Sequence, residues 1–254
     1  MICELTAPEK AAELFGDWEE TLIWSCLQGV MGKIFADDQE HHRSAAAVIG
    51  DFTFFAGSPC EELAVYAVPG RDFMIMVPQD ESWSALIEAV WGEKAKRVER
   101  YAIRKEANVF DREKLGQIVP PKGYELRMID EELYRQCKAN EWSRDLVSQF
   151  GDYQTFRELA LGVVALKNGK IVAGASTYIR YRDGIEIQID TEISHRRRGL
   201  ALACGAKLIL ECLDRGLYPS WDAQNLGSVA LAEKLGYHFS HTYPAYEVTG
   251  YGER

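Results

Sequence analysis

The run Ile185-Glu-Ile-Gln-Ile-Asp-Thr-Glu-Ile-Ser-His-Arg-Arg-Arg-Gly-Leu-Ala201 changes period in its middle. From Ile185 to Ile193 the side chains alternate, which predicts a half-buried strand. Ile185, Ile187, Ile189, Thr191 and Ile193 take one face, and Glu186, Gln188, Asp190 and Glu192 take the other. From about Gly199 the residues Leu202, Ala206, Ile209, Leu210 and Leu213 recur at helical spacing and stop near Gly216. A helix N-terminus leaves backbone N–H groups without internal partners and adds partial positive charge, so an anion docks well there. Gly199 permits close approach, and Arg196, Arg197 and Arg198 add charge suited to phosphate. Three cations at a helix start oppose its dipole unless an anion joins them. The small residues Ala201, Ala203 and Gly205 let the helix come close to its neighbours. Neither G-x-x-x-x-G-K-S/T nor G-x-G-x-x-G occurs between a strand and a helix, which sets aside P-loop and dinucleotide-binding turns.

Upstream, Asn168-Gly169 and Asp183-Gly184 are tight-turn signals. They split Val163–Lys167, Lys170–Arg182 and Ile185–Ile193 into a three-stranded antiparallel meander. Before it, Tyr124–Met128 reads as a strand, and Asp130 caps a helix over Glu131–Ala139. Glu141–Leu161 is helical in two pieces broken at Gly151. Downstream, Tyr218–Asp222 is a short strand, Ser228–Leu235 a helix closed by Gly236, and Tyr237–Tyr246 a last pair of short strands.

Ile118-Val-Pro-Pro-Lys-Gly123 is the expected domain boundary, because two prolines fix φ and remove two donors. That gives an N-terminal α/β domain over 1–117 and a second domain over 118–254. The first opens with a helix over 7–28. Short strands follow at Lys33–Ala36, Ala45–Ile49, Thr53–Ala56, Leu63–Ala67 and Phe73–Val77, punctuated by Gly50, Gly57, Pro59, Pro69 and Gly70. A helix over Ser82–Trp91, capped by Ser82, precedes a mixed-charge solvated edge from Lys94 and a strand at Arg100–Lys105. No internal repeat of fixed period is visible.

The 254 residues carry a net charge of −10, which disfavours nucleic-acid binding and suits a cationic partner such as an amine. No stretch of about 18 apolar residues marks a membrane span, and the charged N-terminus is not a secretory signal. The six cysteines are scattered without metal-ligand spacing, and His41 and His42 lack a partner set, so no metal is expected. Reduced, mostly buried thiols point to a cytoplasmic protein.

Arg196-Arg-Arg-Gly-Leu-Ala201 resembles the Gln/Arg-x-x-Gly-x-Gly/Ala motif of the GCN5-related N-acetyltransferases (GNAT). Asn225-Leu-Gly-Ser-Val-Ala-Leu-Ala-Glu-Lys-Leu-Gly-Tyr237 resembles the segment that follows one helix and one strand later. The likeness covers roughly 123–247. Ile189-Asp-Thr191, Gly199-Leu-Ala201 and Pro219-Ser-Trp-Asp222 are similar to the subgroup typified by the zwittermicin A resistance acetyltransferase. Its members carry an extra N-terminal domain, to which Gly29, Gly32-Lys-Ile-Phe35 and Asp37-Asp38 are similar.

The resemblance implies an α/β (α+β) fold, a GNAT-like mixed, mostly antiparallel sheet flanked by helices, preceded by a smaller α/β domain. It implies acetyl-CoA as co-substrate, lying between splayed strands at Ile185–Ile193 and Tyr218–Asp222. The backbone at Thr191 and Ile193 would hold the pantetheine arm. The turn from Arg196 through Arg197, Arg198, Gly199 and Leu200 to Ala201 would hold the pyrophosphate. Asn225 would contact the arm with Ser228 close by, and Lys234 would approach the outer phosphates or stand as a solvated lysine. Direct attack by an amine on the thioester needs a base, support for the oxyanion and an acid for the thiolate. Glu186, Asp190 and Glu192 are the candidate bases, with Glu186 where several members place a strand carboxylate. Many members supply the acid from a tyrosine after the helix leucine; here Leu231 precedes Ala232, leaving Tyr237, Tyr243 or Tyr246 as substitutes. The expected function is N-acetyl transfer to a small-molecule amine. A catalytically silent acyl-CoA-binding or sensing protein is the alternative, and an oligomer is possible in either case.

Overall fold

In the computed structural model, which describes residues 1–66 and 71–250, the helix expected over 7–28 is broken. Strand β1 (Cys3–Glu4) leads through a 3-10 turn into α1 (Ala12–Phe15), which Gly16 ends at φ 56°. The Glu20 carboxylate then accepts from the Leu22 N–H and caps α2 (Thr21–Leu27). Strands β2 (Lys33–Ala36), β3 (Ser44–Ile49) and β4 (Phe52–Gly57) form an antiparallel meander. The run expected as a strand from Leu63 begins instead inside a short helix, α3 (Glu61–Ala64); Ala67, Pro69 and Gly70 lie outside the described residues. β5 (Phe73–Pro78) runs parallel to β4. Asp80, not Ser82, caps α4 (Glu81–Trp91), accepting from the N–H groups of Ser82 and Trp83. Trp83, Ile87 and Trp91 bury the inner face of α4 against Phe55, Met74 and Met76. β6 (Ala95–Ile103) then takes in most of the mixed-charge segment.

The next elements are α5 (Arg112–Gly116), β7 (Glu125–Met128), α6 (Glu131–Ala139) and, past a 3-10 turn at Arg144–Leu146, α7 (Tyr153–Leu159). Asp130 and Asp152 cap α6 and α7. Strands β8 (Gly162–Lys167), β9 (Lys170–Tyr181) and β10 (Gly184–Thr191) make the expected meander, with Asn168 and Gly169 both at positive φ in the first turn. α8 (Leu200–Asp214), β11 (Tyr218–Ser220), β12 (Asp222–Ala223), α9 (Leu226–Leu235) and β13 (Phe239–Thr249) complete the chain. The five-stranded sheet runs β11-β10-β9-β8-β7, antiparallel except for the β10–β11 pair. Ile185 and Ile187 of β10 join Cys204, Leu208 and Cys212 of α8 in one core.

The chain forms two compact units, Met1–Arg100 with the segment from Thr242, and Tyr101–His241. Residues 101–117, placed by the prolines with the first domain, therefore fall in the second unit, where Ile103 and Leu115 pack into its core. The segment from Thr242 falls in the first, because Tyr246–Thr249 of β13 pairs with Phe73–Met76 of β5. Tyr237–Tyr246 is not a pair of strands, since β13 is continuous from Phe239. Among the described residues no helix is long and apolar enough to cross a membrane.

The parallel pair is held close at Gly184. A Cβ there would lie 2.1 Å from the Tyr218 carbonyl oxygen and 2.3 Å from the Tyr181 hydroxyl. Gly184→Ala is expected to push β11 off β10 and to destabilise the protein by about 1–3 kcal/mol, read as a lowered urea midpoint.

Candidate acyl-CoA site

β10 and β11 stay together for three residue pairs only, Gly184–Glu186 against Tyr218–Ser220. After Ser220 the chain turns away, and Asp222–Ala223 pairs with Tyr101–Ala102 of β6. β10 continues from Ile187 to Thr191 bonded to β9 on one side, with no strand on the other among the described residues. The Glu192 N–H reaches the Val172 carbonyl at 3.0 Å, so the alternation of the strand turns the Thr191 N–H to the open edge. There it is met by its own neighbour, the Asp190 carboxylate, at 2.6 Å.

The open edge leads straight into the arginine turn. Strand geometry ends at Thr191, and Ile193–His195 forms one 3-10 turn. Arg197 then stands at φ 61° and Gly199 at φ 79°. Left-handed backbone at a non-glycine residue is uncommon and marks a tight turn ahead of α8. No side chain caps α8, and its first internal bond runs from the Ala203 N–H to the Gly199 carbonyl. The amides of Leu200, Ala201 and Leu202 thus face the turn without a capping acceptor. A Cβ at Gly199 would meet nothing within 4 Å, so this glycine serves the backbone angle rather than a packing need.

The three arginines divide. Arg196 donates from Nε to the Thr191 carbonyl at 3.1 Å and lies 3.9 Å from Asp190. Arg198 donates to the Ser194 carbonyl at 3.1 Å and to the Tyr124 hydroxyl at 3.4 Å. Arg197 is exposed and has no hydrogen-bond or ion-pair partner among the described residues. Tyr124 is a participant that sequence reasoning missed: it precedes a strand, and no spacing links it to an arginine 74 positions away.

Glu186 and Asp190 both lie on β10, whereas Glu192 falls past its end. Glu186 is 4% exposed and stands at the last β10–β11 pair, opposite Ser220. Asp190 is half-buried near the end of the open edge. Burial raises its pKa above the usual carboxylate range, offset in part by the Thr191 N–H and Arg196, while Asp145 adds to the rise. Glu192 lies beyond the strand, bonded to the Ser194 hydroxyl at 2.8 Å and to His195 Nδ1 at 2.5 Å, and these bonds lower its pKa. It is therefore a local brace of the turn, not a neighbour of Glu186.

Tyr237 is fully enclosed, and its hydroxyl donates to the Pro219 carbonyl at 2.6 Å. Burial holds its pKa well above the ordinary value, and the bond braces β11. Ala232 is 0% exposed, so the position that carries a tyrosine in many relatives is here a packed core position. Asn225 caps α9 by accepting from the Ser228 N–H at 3.0 Å, which leaves its amide nitrogen free to face a ligand. Lys234 is in the last turn of α9, about 13 Å along the axis from Asn225 at 1.5 Å per residue. That end of the helix suits a cation. The Tyr181 hydroxyl, 3.1 Å from the Ser220 hydroxyl, is a second contact that no motif announced.

Residues 12–246 match the GNAT acetyltransferase family, and the chain belongs to that family. It is 25% identical over 250 residues to the uncharacterized N-acetyltransferase YdfB of Bacillus subtilis (strain 168), covering 89% of each chain. The solved structure of a GCN5-related N-acetyltransferase-like protein from Streptococcus suis 89/1591 is 46% identical, with a TM-score of 0.90 over 95% of this chain and 98% of that one. A tandem GNAT protein from the clavulanic acid biosynthesis pathway shares the fold at 13% identity, with a TM-score of 0.53 over 98% of each chain. The mixed, mostly antiparallel sheet flanked by helices is that of the GNAT structures.

The raised pKa of Asp190 has a consequence for stability. A carboxyl whose folded pKa exceeds its unfolded value stabilises the protein fully below the unfolded value and loses that contribution as pH rises through the folded one. At pH 7 the ionised Asp190 is therefore a burden. Asp190→Asn, which keeps an acceptor for the Thr191 N–H, is expected to raise the thermal midpoint at pH 7, with the gain vanishing below about pH 4.

Proposed function

We propose that this protein transfers an acetyl group from acetyl-CoA to the amine of a small molecule by direct attack of the amine. The observation that carries this reading is the junction of the open β10 edge with the uncapped start of α8, through left-handed Arg197 and Gly199. Acetyl-CoA supplies the activated thioester. The amides from Arg197 to Ala201 and the unpartnered Arg197 guanidinium bind its pyrophosphate. Arg196 and Arg198, already bonded to backbone, hold the turn in shape. The exposed backbone at Thr191 and Ile193, with the Asn225 amide and nearby Ser228, orients the pantetheine arm.

Asp190 is the carboxylate best suited to take the amine proton. It is half-exposed where Glu186 is enclosed, and a raised pKa makes it a better proton acceptor once ionised. Glu186 acts on that proton only through water, from the closed end of the edge. With Ala232 packed and Tyr237 bonded to Pro219, the departing thiolate takes its proton from solvent. The acidic chain and the likeness to the zwittermicin A resistance subgroup favour a cationic amine, such as an aminated antibiotic or metabolite, in a cytoplasmic setting. The six cysteines are all free, in keeping with that compartment.

Thiol release from acetyl-CoA across a panel of small amines tests the reaction; tight binding with no turnover on any amine overturns it. Arg197→Ala is expected to raise the KM for acetyl-CoA about tenfold to a hundredfold, the worth of one charged hydrogen bond, with kcat little changed. In the pH profile of kcat/KM, activity should fall as Asp190 protonates, at a pH above the ordinary carboxylate range. Asp190→Asn should abolish that acid limb and lower kcat by about a hundredfold to ten-thousandfold; an unaltered limb would assign the base elsewhere.

A further inference from the structure

The two units repeat one another in topology although no repeat shows in their sequences. The first unit runs β1, two helices, β2, β3, β4, α3, β5, α4; the second runs β7, two principal helices, β8, β9, β10, α8, β11, α9. The pairing scheme is also the same. β1–β2, β2–β3 and β3–β4 are antiparallel and β4–β5 is parallel. β7–β8, β8–β9 and β9–β10 are antiparallel and β10–β11 is parallel. In each unit the first strand of the parallel pair leads into the helix that packs beside it, so β4 and α3 correspond to β10 and α8.

At that junction the first unit departs from the second in three ways. Its parallel pair does not open: Phe52, Thr53, Phe54 and Phe55 all pair with Ile75–Pro78, and the Gln79 N–H adds a further bond to the Phe55 carbonyl. The end of β4 is then occupied by side chains. The Gly57 N–H donates to Gln79 Oε1 at 3.0 Å, and the Gly57 carbonyl accepts from Trp83 Nε1 at 2.8 Å. Finally, α3 is a single turn with Glu61 and Glu62 at its start, and residues 57–66 contain no arginine or lysine. A pyrophosphate at this place would meet two carboxylates and a strand end whose Gly57 N–H and C=O are taken. The α8 turn offers the reverse: an open edge, a first turn without acidic residues and an unpartnered arginine.

We infer that the chain is a tandem of two acetyltransferase-type folds in which the second alone keeps an acyl-CoA seat and the first is a cofactor-free copy. The inference rests on the acyl-CoA reading of the second unit and makes each chain a single-centre enzyme. Titration calorimetry of CoA into the full chain, with hydrogen exchange to map the bound state, tests it. The comparison variant is Gly199→Asp, whose carboxylate sits in the α8 seat; Arg197→Glu replaces it should that variant fail to give a native near-ultraviolet spectrum. The expected result is one CoA per chain, an affinity loss of at least about a hundredfold in the variant, and protection confined to residues 187–203 and 225–228. Two CoA per chain, or one that survives in the variant with protection at 52–64, overturns the inference. No binding by the unaltered chain would count against the acyl-CoA reading of the second unit while leaving the first copy without a seat.

Discussion

Three backbone pairs between β10 and β11 set the geometry on which the candidate site depends. They are closely clamped: Gly184 lets Tyr218 and Tyr181 approach, the Tyr181 and Ser220 hydroxyls meet across the pair, and Tyr237 ties down the Pro219 carbonyl. Because the clamp is short, β11 can leave toward β6 while β10 continues alone. An unpaired strand edge is ordinarily a liability, since its N–H and C=O groups invite another chain. Here the edge is five residues long and ends in a turn rich in donors, which makes it a fitting seat for an extended polar ligand ending in phosphate.

The same region concentrates features that oppose stability. Arg197 holds a left-handed backbone angle, three arginines gather at the positive end of a helix dipole, and Asp190 sits in a setting that raises its pKa. Four other helices, α4, α5, α6 and α7, start with aspartate caps. The contrast is physical: a capped α8 would satisfy its own amides and leave nothing for an anion. The division of labour among the arginines follows from the same constraint, as two of them bond to backbone carbonyls and keep the third exposed.

The strand–turn–helix order was legible because period 2 and period 3.6 adjoin at the arginines, and the Asn168-Gly169 and Asp183-Gly184 turns fixed the meander. Asp130 announced its helix for the reason it caps one, a carboxylate before an apolar run. What escaped were contacts between residues far apart in the chain. Tyr124 with Arg198, Tyr181 with Ser220 and Tyr237 with Pro219 have no local signature. Glu192 was misplaced because alternation alone does not show that the strand stops at Thr191. The proline pair at 120–121 marks a break in the backbone, but the units are set by pairing and burial, which carry 101–117 into one core and β13 to β5.

The hidden repeat has a related cause. Topology is kept by which strands pair and in which direction, and many residues satisfy that. β10 alternates apolar with polar because one face is covered and its edge is open, whereas β3 and β4, reading Ser-Ala-Ala-Ala-Val-Ile and Phe-Thr-Phe-Phe-Ala-Gly, are buried almost throughout. Two strands in the same place of the same fold therefore share no pattern. Closing the parallel pair also changes what the following helix must do. Once Gln79 and Trp83 bind the end of β4, an uncapped, arginine-flanked helix start would face no anion, and a one-turn acidic helix carries no penalty there. The loss of the seat and the closure of the strands are thus one change seen at two points, which is why the first unit retains the scaffold of the second without its turn.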